Sequence, residues 1–206
     1  MANKFIIPTT RIEAFSDGVF AIVMTLLSFQ FKVPKFTIGA SIHKNYYELL
    51  HVSSNFISFV FSFIFVAVFW VTHHQLFHSI KEADRRLLWH NIHLLFWITM
   101  IPFPTGMVGD YPEVPLAAIS LAIVLLMVSI SSYMVRNYSY GQAALINENS
   151  SARAIKGGLS KNMLAISFNI IAIPSAFISV YLSYSFLLVV LVLFSIPHKS
   201  EIILKT

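Results

Sequence analysis

The feature that most constrains this chain is a set of six uncharged apolar stretches: Gly18 to Phe31, Val52 to Thr72, Leu87 to Ile101, Val114 to Val135, Met163 to Leu182 and Phe186 to Ile196. A helix needs about 20 mostly apolar residues to cross a bilayer. The stretches therefore predict an all-α integral membrane protein with six transmembrane helices, at approximately 12–32, 52–74, 87–108, 114–135, 162–182 and 184–197. Apolar residues make up 57% of the 206 residues and charged residues 11%, so residues 1–206 form one six-helix domain with no room for a second, soluble one. The first stretch reaches spanning length only if it starts near Ile12, which draws Glu13 and Asp17 into the membrane. It exceeds the apolar core of a signal peptide and no cleavage site follows it, so it reads as a retained helix.

Eleven Lys and Arg residues fall on one side: Lys4, Arg11, Lys81, Arg85, Arg86, Arg136, Arg153, Lys156, Lys161, Lys199 and Lys205. Only Lys32, Lys35 and Lys44 fall on the other. The positive-inside bias then puts both termini in the cytoplasm of a multi-pass protein of the cell membrane. The net charge of +5 is accounted for by these loops, so the lipid bilayer is the expected partner and nucleic acid is not. The acceptor triplet Asn149-Ser150-Ser151 lies on the side where glycosylation does not occur. Pro34, Pro102, Pro104, Pro115 and Pro197 mark span boundaries, while Pro174 is expected within the fifth helix, bending it. The connection from Arg136 to Lys161, with Gly157-Gly158, reads as flexible or as a short amphipathic helix.

With no cysteine there is no thiolate metal site or cysteine nucleophile, and paired carboxylates, a nucleophile elbow and a phosphate loop are all missing. The chain is not expected to be an enzyme or to need a cofactor. His73, His74, His78, His90 and His93 gather around the inner ends of the second and third helices, and His74 and His78 have the i,i+4 spacing of metal ligands. No carboxylate completes a metal signature there, so no metal site is assigned. Trp70, Trp89 and Trp97 are given no role beyond interfacial anchoring or packing.

At 100° per residue, Arg11, Phe15, Gly18, Ile22, Leu26 and Phe29 fall within an arc of about 80°, with Thr25 at its margin. Ser16 and Asp17 are displaced in opposite directions from this stripe and face different neighbours. Asp17 stands six residues from Arg11, a spacing that cannot pair along one helix. Its depth, about 7 to 9 Å from the helix start, is that of His73, His74 and Asn91. A carboxylate facing lipid is costly, so Asp17 is expected to be buried and bonded to His73, His74, Ser16 or Asn91.

Arg11-Ile-Glu-Ala-Phe15-Ser16-Asp17, read as R-x-x-x-F-S-D at the start of the first span, resembles the signature of the transmembrane protein 175 family of lysosomal-type potassium channels and its bacterial single-repeat members. Phe69-Trp70-Val71-Thr72-His73-His74 with Phe77, then Asn91 and Pro102-Phe103-Pro104-Thr105, are similar to that family's second and third helices in the same order. The resemblance covers Arg11 to about Tyr111. It implies a homotetramer in which the first helix of each subunit lines a central pore for K+ ions. It places the hydrophobic constriction on Ile22, Leu26 and Phe29, and a selectivity threonine on Thr25. It also implies that Arg11, Phe15, Ser16 and Asp17 hold the first helix against the next two instead of coordinating the ion. Phe29 departs from the aliphatic residue usual at its position, and Gly18 stands where alanine is common. No TVGYG carbonyl filter occurs, so weak to moderate selection of K+ over Na+ would rest on a side-chain ring that also gates by dewetting. The competing reading is a proton-coupled secondary transporter using Asp17 and the inner histidines, with Pro174 marking a broken helix.

Overall fold

A computed structural model describes residues 6–31, 33–142 and 152–196. Its elements run β1 (Ile6–Ile7), α1 (Thr9–Ser28), α2 (Ile42–His78), β2 (Ala83–Asp84), α3 (Arg85–Met100), α4 (Pro102–Asp110), α5 (Pro115–Gly141), α6 (Ala152–Ser175) and α7 (Val180–Ser195). The acceptor triplet at Asn149, together with Lys4, Lys32, Pro197, Lys199 and Lys205, lies outside the described residues. Among the described residues, three segments are long and apolar enough to cross a bilayer: Ile42–His78, Arg85–Asp110 and Pro115–Gly141, with Val180–Ser195 apolar but shorter. α1 has spanning length, about 30 Å at 1.5 Å per residue, but carries Arg11, Glu13 and Asp17.

Several helix ends differ from those the apolar runs suggest, each for a physical reason. α2 starts at Ile42 because Ser41 caps it, its hydroxyl accepting from the Lys44 amide. A helix need not stop where its apolar residues do once water can bathe its polar face. Pro102 and Pro104 interrupt the third span without ending it. Neither can donate to the carbonyl four residues back, yet Ile101 keeps helical angles and its amide closes a tighter turn on Ile98 at 3.2 Å. The Thr105 amide then bonds to the Ile101 carbonyl and the helix resumes as α4. Pro174 does not bend the middle of a helix. It sits in the last turn of α6, which ends at Ser175, and the amides of Phe177, Ile178 and Ser179 turn back onto the carbonyls of Pro174 and Ser175. The expected fifth helix to 182 is thus two pieces, and α7 starts at Val180. This removes the broken-helix marker on which the transporter reading drew.

α1 packs on α2 and α3, α2 on α4, and α5 sits between α3 and α6, with α7 closing against α6 and α2. β1 pairs antiparallel with β2, Ile6 opposite Asp84 and Ile7 opposite Ala83, which ties the chain before α1 to the turn between α2 and α3. Asp84 also accepts from the Leu87 amide at 2.9 Å, capping α3, and from the Tyr138 hydroxyl at 2.6 Å, fixing the end of α5. The core is one continuous apolar cluster reaching from Ile12 on α1 to Phe194 on α7.

At the other end, α4 is seated on α2 by polar contacts. Thr105, whose hydrogen goes to the Ile101 carbonyl, accepts from the Ser62 hydroxyl at 2.7 Å, and Asn55 donates to Asp110 at 3.1 Å. Gly109 allows this approach: a Cβ there would meet Asn55 Nδ2 at 2.6 Å, Ser58 Oγ at 2.9 Å and the Asn55 Cα at 3.1 Å. Because one of those atoms is backbone, the helices themselves would have to part. Gly109→Ala is therefore expected to lower unfolding free energy by about 1–3 kcal/mol, the usual cost of overpacking. Gly141→Ala, where a Cβ meets nothing within 4 Å, is expected to be silent. Unfolding of both variants in mixed detergent micelles checks this, and equal behaviour would mean that α4 is free to shift.

Candidate functional site

α1 has two faces of opposite character. Ile12, Ser16, Phe20, Val23 and Leu27, spaced three and four apart, are buried against α2 and α3. Phe15, Ile22, Leu26 and Phe29 are 58%, 59%, 42% and 79% exposed on the opposite side, with Arg11, Gly18 and Thr25 beside them. A Cβ on Gly18 would meet nothing within 4 Å. The stripe drawn from the helical period is the uncovered face of this protomer.

The buried face is locked by a polar chain. Ser16, fully buried, donates to the Ile12 carbonyl at 2.8 Å. Asn91 of α3 donates from Nδ2 to Ser16 Oγ at 2.9 Å, and its Oδ1 lies 2.8 Å from His73 Nε2 on α2. An amide oxygen can only accept, so the neutral His73 carries its hydrogen on Nε2. Its ring stacks on Phe77 with centroids 4.4 Å apart and tilts against Phe20 of α1 at 5.5 Å. Three helices are thereby joined through one serine, one asparagine and one histidine.

Asp17 does not join this chain. It is exposed in the protomer, and its carboxylate accepts a hydrogen bond from Trp70 Nε1 at 2.8 Å. The expectation of a buried Asp17 bonded to His73, His74, Ser16 or Asn91 is corrected on both counts. Depth selected the right end of α2, but direction selected the residue: Ser16 and Asp17 leave the helix on different sides, and Ser16 took Asn91. His74 is exposed and stacks on Trp70 with centroids 6.1 Å apart. Trp70, to which the sequence assigned only anchoring or packing, is the residue that was missed. It lies one turn before His74, and an indole N–H is a donor with no charge of its own to bury.

The histidines are dispersed. His73 faces the core, His90 lies against the Tyr138 ring at 5.1 Å, and His93 accepts from Trp97 Nε1 at 3.2 Å and contacts Ser131 Oγ at 2.9 Å. Among the described residues no three His, Asp or Glu side chains converge as metal ligands.

Arg11 and Phe15 stand on the exposed face of α1. Ser16 links α1 to α3 directly and to α2 only through Asn91, while Asp17 links α1 to α2. On the stripe, Thr25 donates its hydroxyl hydrogen to the Ile22 carbonyl at 2.7 Å.

Residues 11–102, which contain this site, match the family model described as endosomal/lysosomal potassium channel TMEM175. A potassium channel of Chryseobacterium sp. (strain P1-3) is 29% identical over 194 residues, covering 92% of this chain and 93% of that protein. A potassium channel of Chamaesiphon minutus is 30% identical over 195 residues, covering 93% and 96%. The crystal structure of a lysosomal potassium-selective channel TMEM175 homolog from Chamaesiphon minutus superposes with a TM-score of 0.78 at 28% identity, covering 91% of this chain and 96% of that one. The all-α architecture, the apolar spans and the agreement along nearly the whole chain make this a multi-pass membrane protein of an ion-channel family, not an enzyme: it belongs to the TMEM175 family.

Proposed function

We propose that this chain is a potassium channel of the cell membrane, with both termini cytoplasmic, that works as a homotetramer with one α1 from each subunit around a central pore. The supporting observation is the two-faced α1: a polar chain secures one side, and the side bearing Phe15, Gly18, Ile22, Leu26 and Phe29 is left uncovered. Arg11 and Asp17 are exposed on the same helix. A helix presenting such groups to lipid is unfavourable, whereas copies meeting at an axis would turn the stripe inward and keep the charges at a wet mouth. One α1 cannot enclose a pore, so conduction along it requires an oligomer. The names of the bacterial relatives support potassium as the ion, and the distribution of Lys and Arg supports the orientation.

Selection then works through side chains. A cation passing rings of Ile22, Leu26 and Phe29 must shed part of its hydration, and potassium holds its water less tightly than sodium. Weak to moderate preference for K+ follows, and rings this apolar can close by dewetting. Thr25, its hydrogen committed to the Ile22 carbonyl, has oxygen lone pairs left to offer a partly dehydrated ion. The purified protein in planar bilayers, with potassium on one side and sodium on the other, is expected to give unitary currents whose reversal potential follows the potassium gradient. Slow, saturable flux without unitary openings would overturn the channel reading.

A further inference from the structure

Arg136 is the first charged residue after the uncharged run from Val114 to Val135, which puts it where α5 leaves the hydrocarbon and enters the headgroup layer. Long basic side chains at that depth ordinarily snorkel outward to water. This one turns into the cleft between α5 and α6. Its Cζ and Cδ lie where a Cβ on Gly158 of α6 would meet them at 2.9 and 3.1 Å, and Nη1 stands closer still. Nε is enclosed and has no hydrogen-bond partner. Among the described residues the guanidinium has one hydrogen bond, from Nη1 to the Tyr140 hydroxyl at 3.5 Å, the outer limit for such a contact. Lys161 lies one turn beyond Gly158 on α6 and donates to the Ile196 carbonyl at the end of α7, so a second cation stands on that face.

A partly desolvated guanidinium with so few hydrogen bonds is costly unless an anion meets the N–H groups that this half-buried side chain leaves accessible. A phosphate does so best, because its oxygens match the fork of N–H donors, and phosphates are what the headgroup layer supplies at this depth. Basic pockets between membrane helices hold anionic headgroups in this way. We propose that Arg136, with Tyr140, Gly158 and Lys161, forms a docking site for the phosphate of an anionic phospholipid. A zwitterionic lipid would bring its own ammonium toward two resident cations, which disfavours it. The site needs only the membrane placement of α5 and does not depend on how the pore conducts.

The test adds phosphatidylglycerol, phosphatidylcholine or sodium phosphate to the purified full chain in detergent, following unfolding temperature and lipid retention by native mass spectrometry. Phosphatidylglycerol is expected to raise the unfolding temperature and stay bound, and phosphatidylcholine to do neither. Arg136→Gln should weaken retention at least tenfold. Gly158→Ala keeps the charge but displaces the guanidinium, so it should weaken retention too and decides the matter if Arg136→Gln does not fold. Equal effects of the two lipids, or undiminished retention in the variants, would overturn the site. A shift produced equally by sodium phosphate would overturn the lipid assignment in favour of a soluble phosphate.

Discussion

Leu26→Asn and Ile22→Asn, each reconstituted in planar bilayers, are expected to carry roughly tenfold more current than the parent, since a barrier lowered by about 1.4 kcal/mol is worth a factor of ten in rate. Their potassium-over-sodium permeability ratio should fall toward one. The reason lies in what these side chains face. Both are exposed in the protomer, Leu26 at 42% and Ile22 at 59%, on a helix whose other side is filled. If four copies close around that face, each substitution puts a ring of amides where there was a ring of alkyl groups. A wetted ring no longer dewets and no longer strips an ion of its water. Val23→Asn, one residue from Ile22 but fully buried, should instead destabilise the protein, because its amide would enter the core without a partner. Unchanged current and selectivity in both stripe variants would move the gate off α1.

The sequence carried the membrane architecture because long uncharged apolar runs mark most of the spans, and the period of α1 sufficed to separate its two faces. What it could not carry was set by direction and by local backbone chemistry. His73, His74, Asn91 and Trp70 all reach the depth of Asp17, so depth left four donors and only side-chain direction chose Trp70. Hydropathy placed the start of α2 at the edge of its apolar run, whereas the hydroxyl of Ser41, well before that edge, caps it. Pro102 and Pro174 are the same residue with opposite outcomes. Around Pro102 the chain has Ile101 in helical conformation and Thr105 to restart the ladder, and around Pro174 three following amides fold back on the last carbonyls. A residue type alone does not say which will happen.

Asn91→Ala should be the most damaging single change among the polar residues, costing about 3–5 kcal/mol of unfolding free energy. Two hydrogen bonds are lost, each worth near 1 kcal/mol, and a buried donor left unpaired adds about 1–3 kcal/mol. His73, only 5% exposed, would keep its N–H and have nothing to give it to, while Ser16 retains the Ile12 carbonyl. The penalty therefore falls on α2 more than on α1. Polar links between membrane helices average only about 0.6 kcal/mol in double-mutant cycles, so a loss near that figure would show that Asn91 is an ordinary contact and not the anchor of α1. The triple variant Ser16→Ala, His73→Phe, Asn91→Leu separates bonding from filling. Replacing every member of a buried network by apolar groups of similar shape can be nearly neutral, and Phe20 and Phe77 already flank the His73 ring. It should recover most of the stability in mixed-micelle unfolding. It should not recover single-channel behaviour, because hydrogen bonds fix the rotation of α1 about its own axis and a greasy seam does not. A triple variant with normal unitary conductance would mean that packing alone aims Ile22 and Leu26.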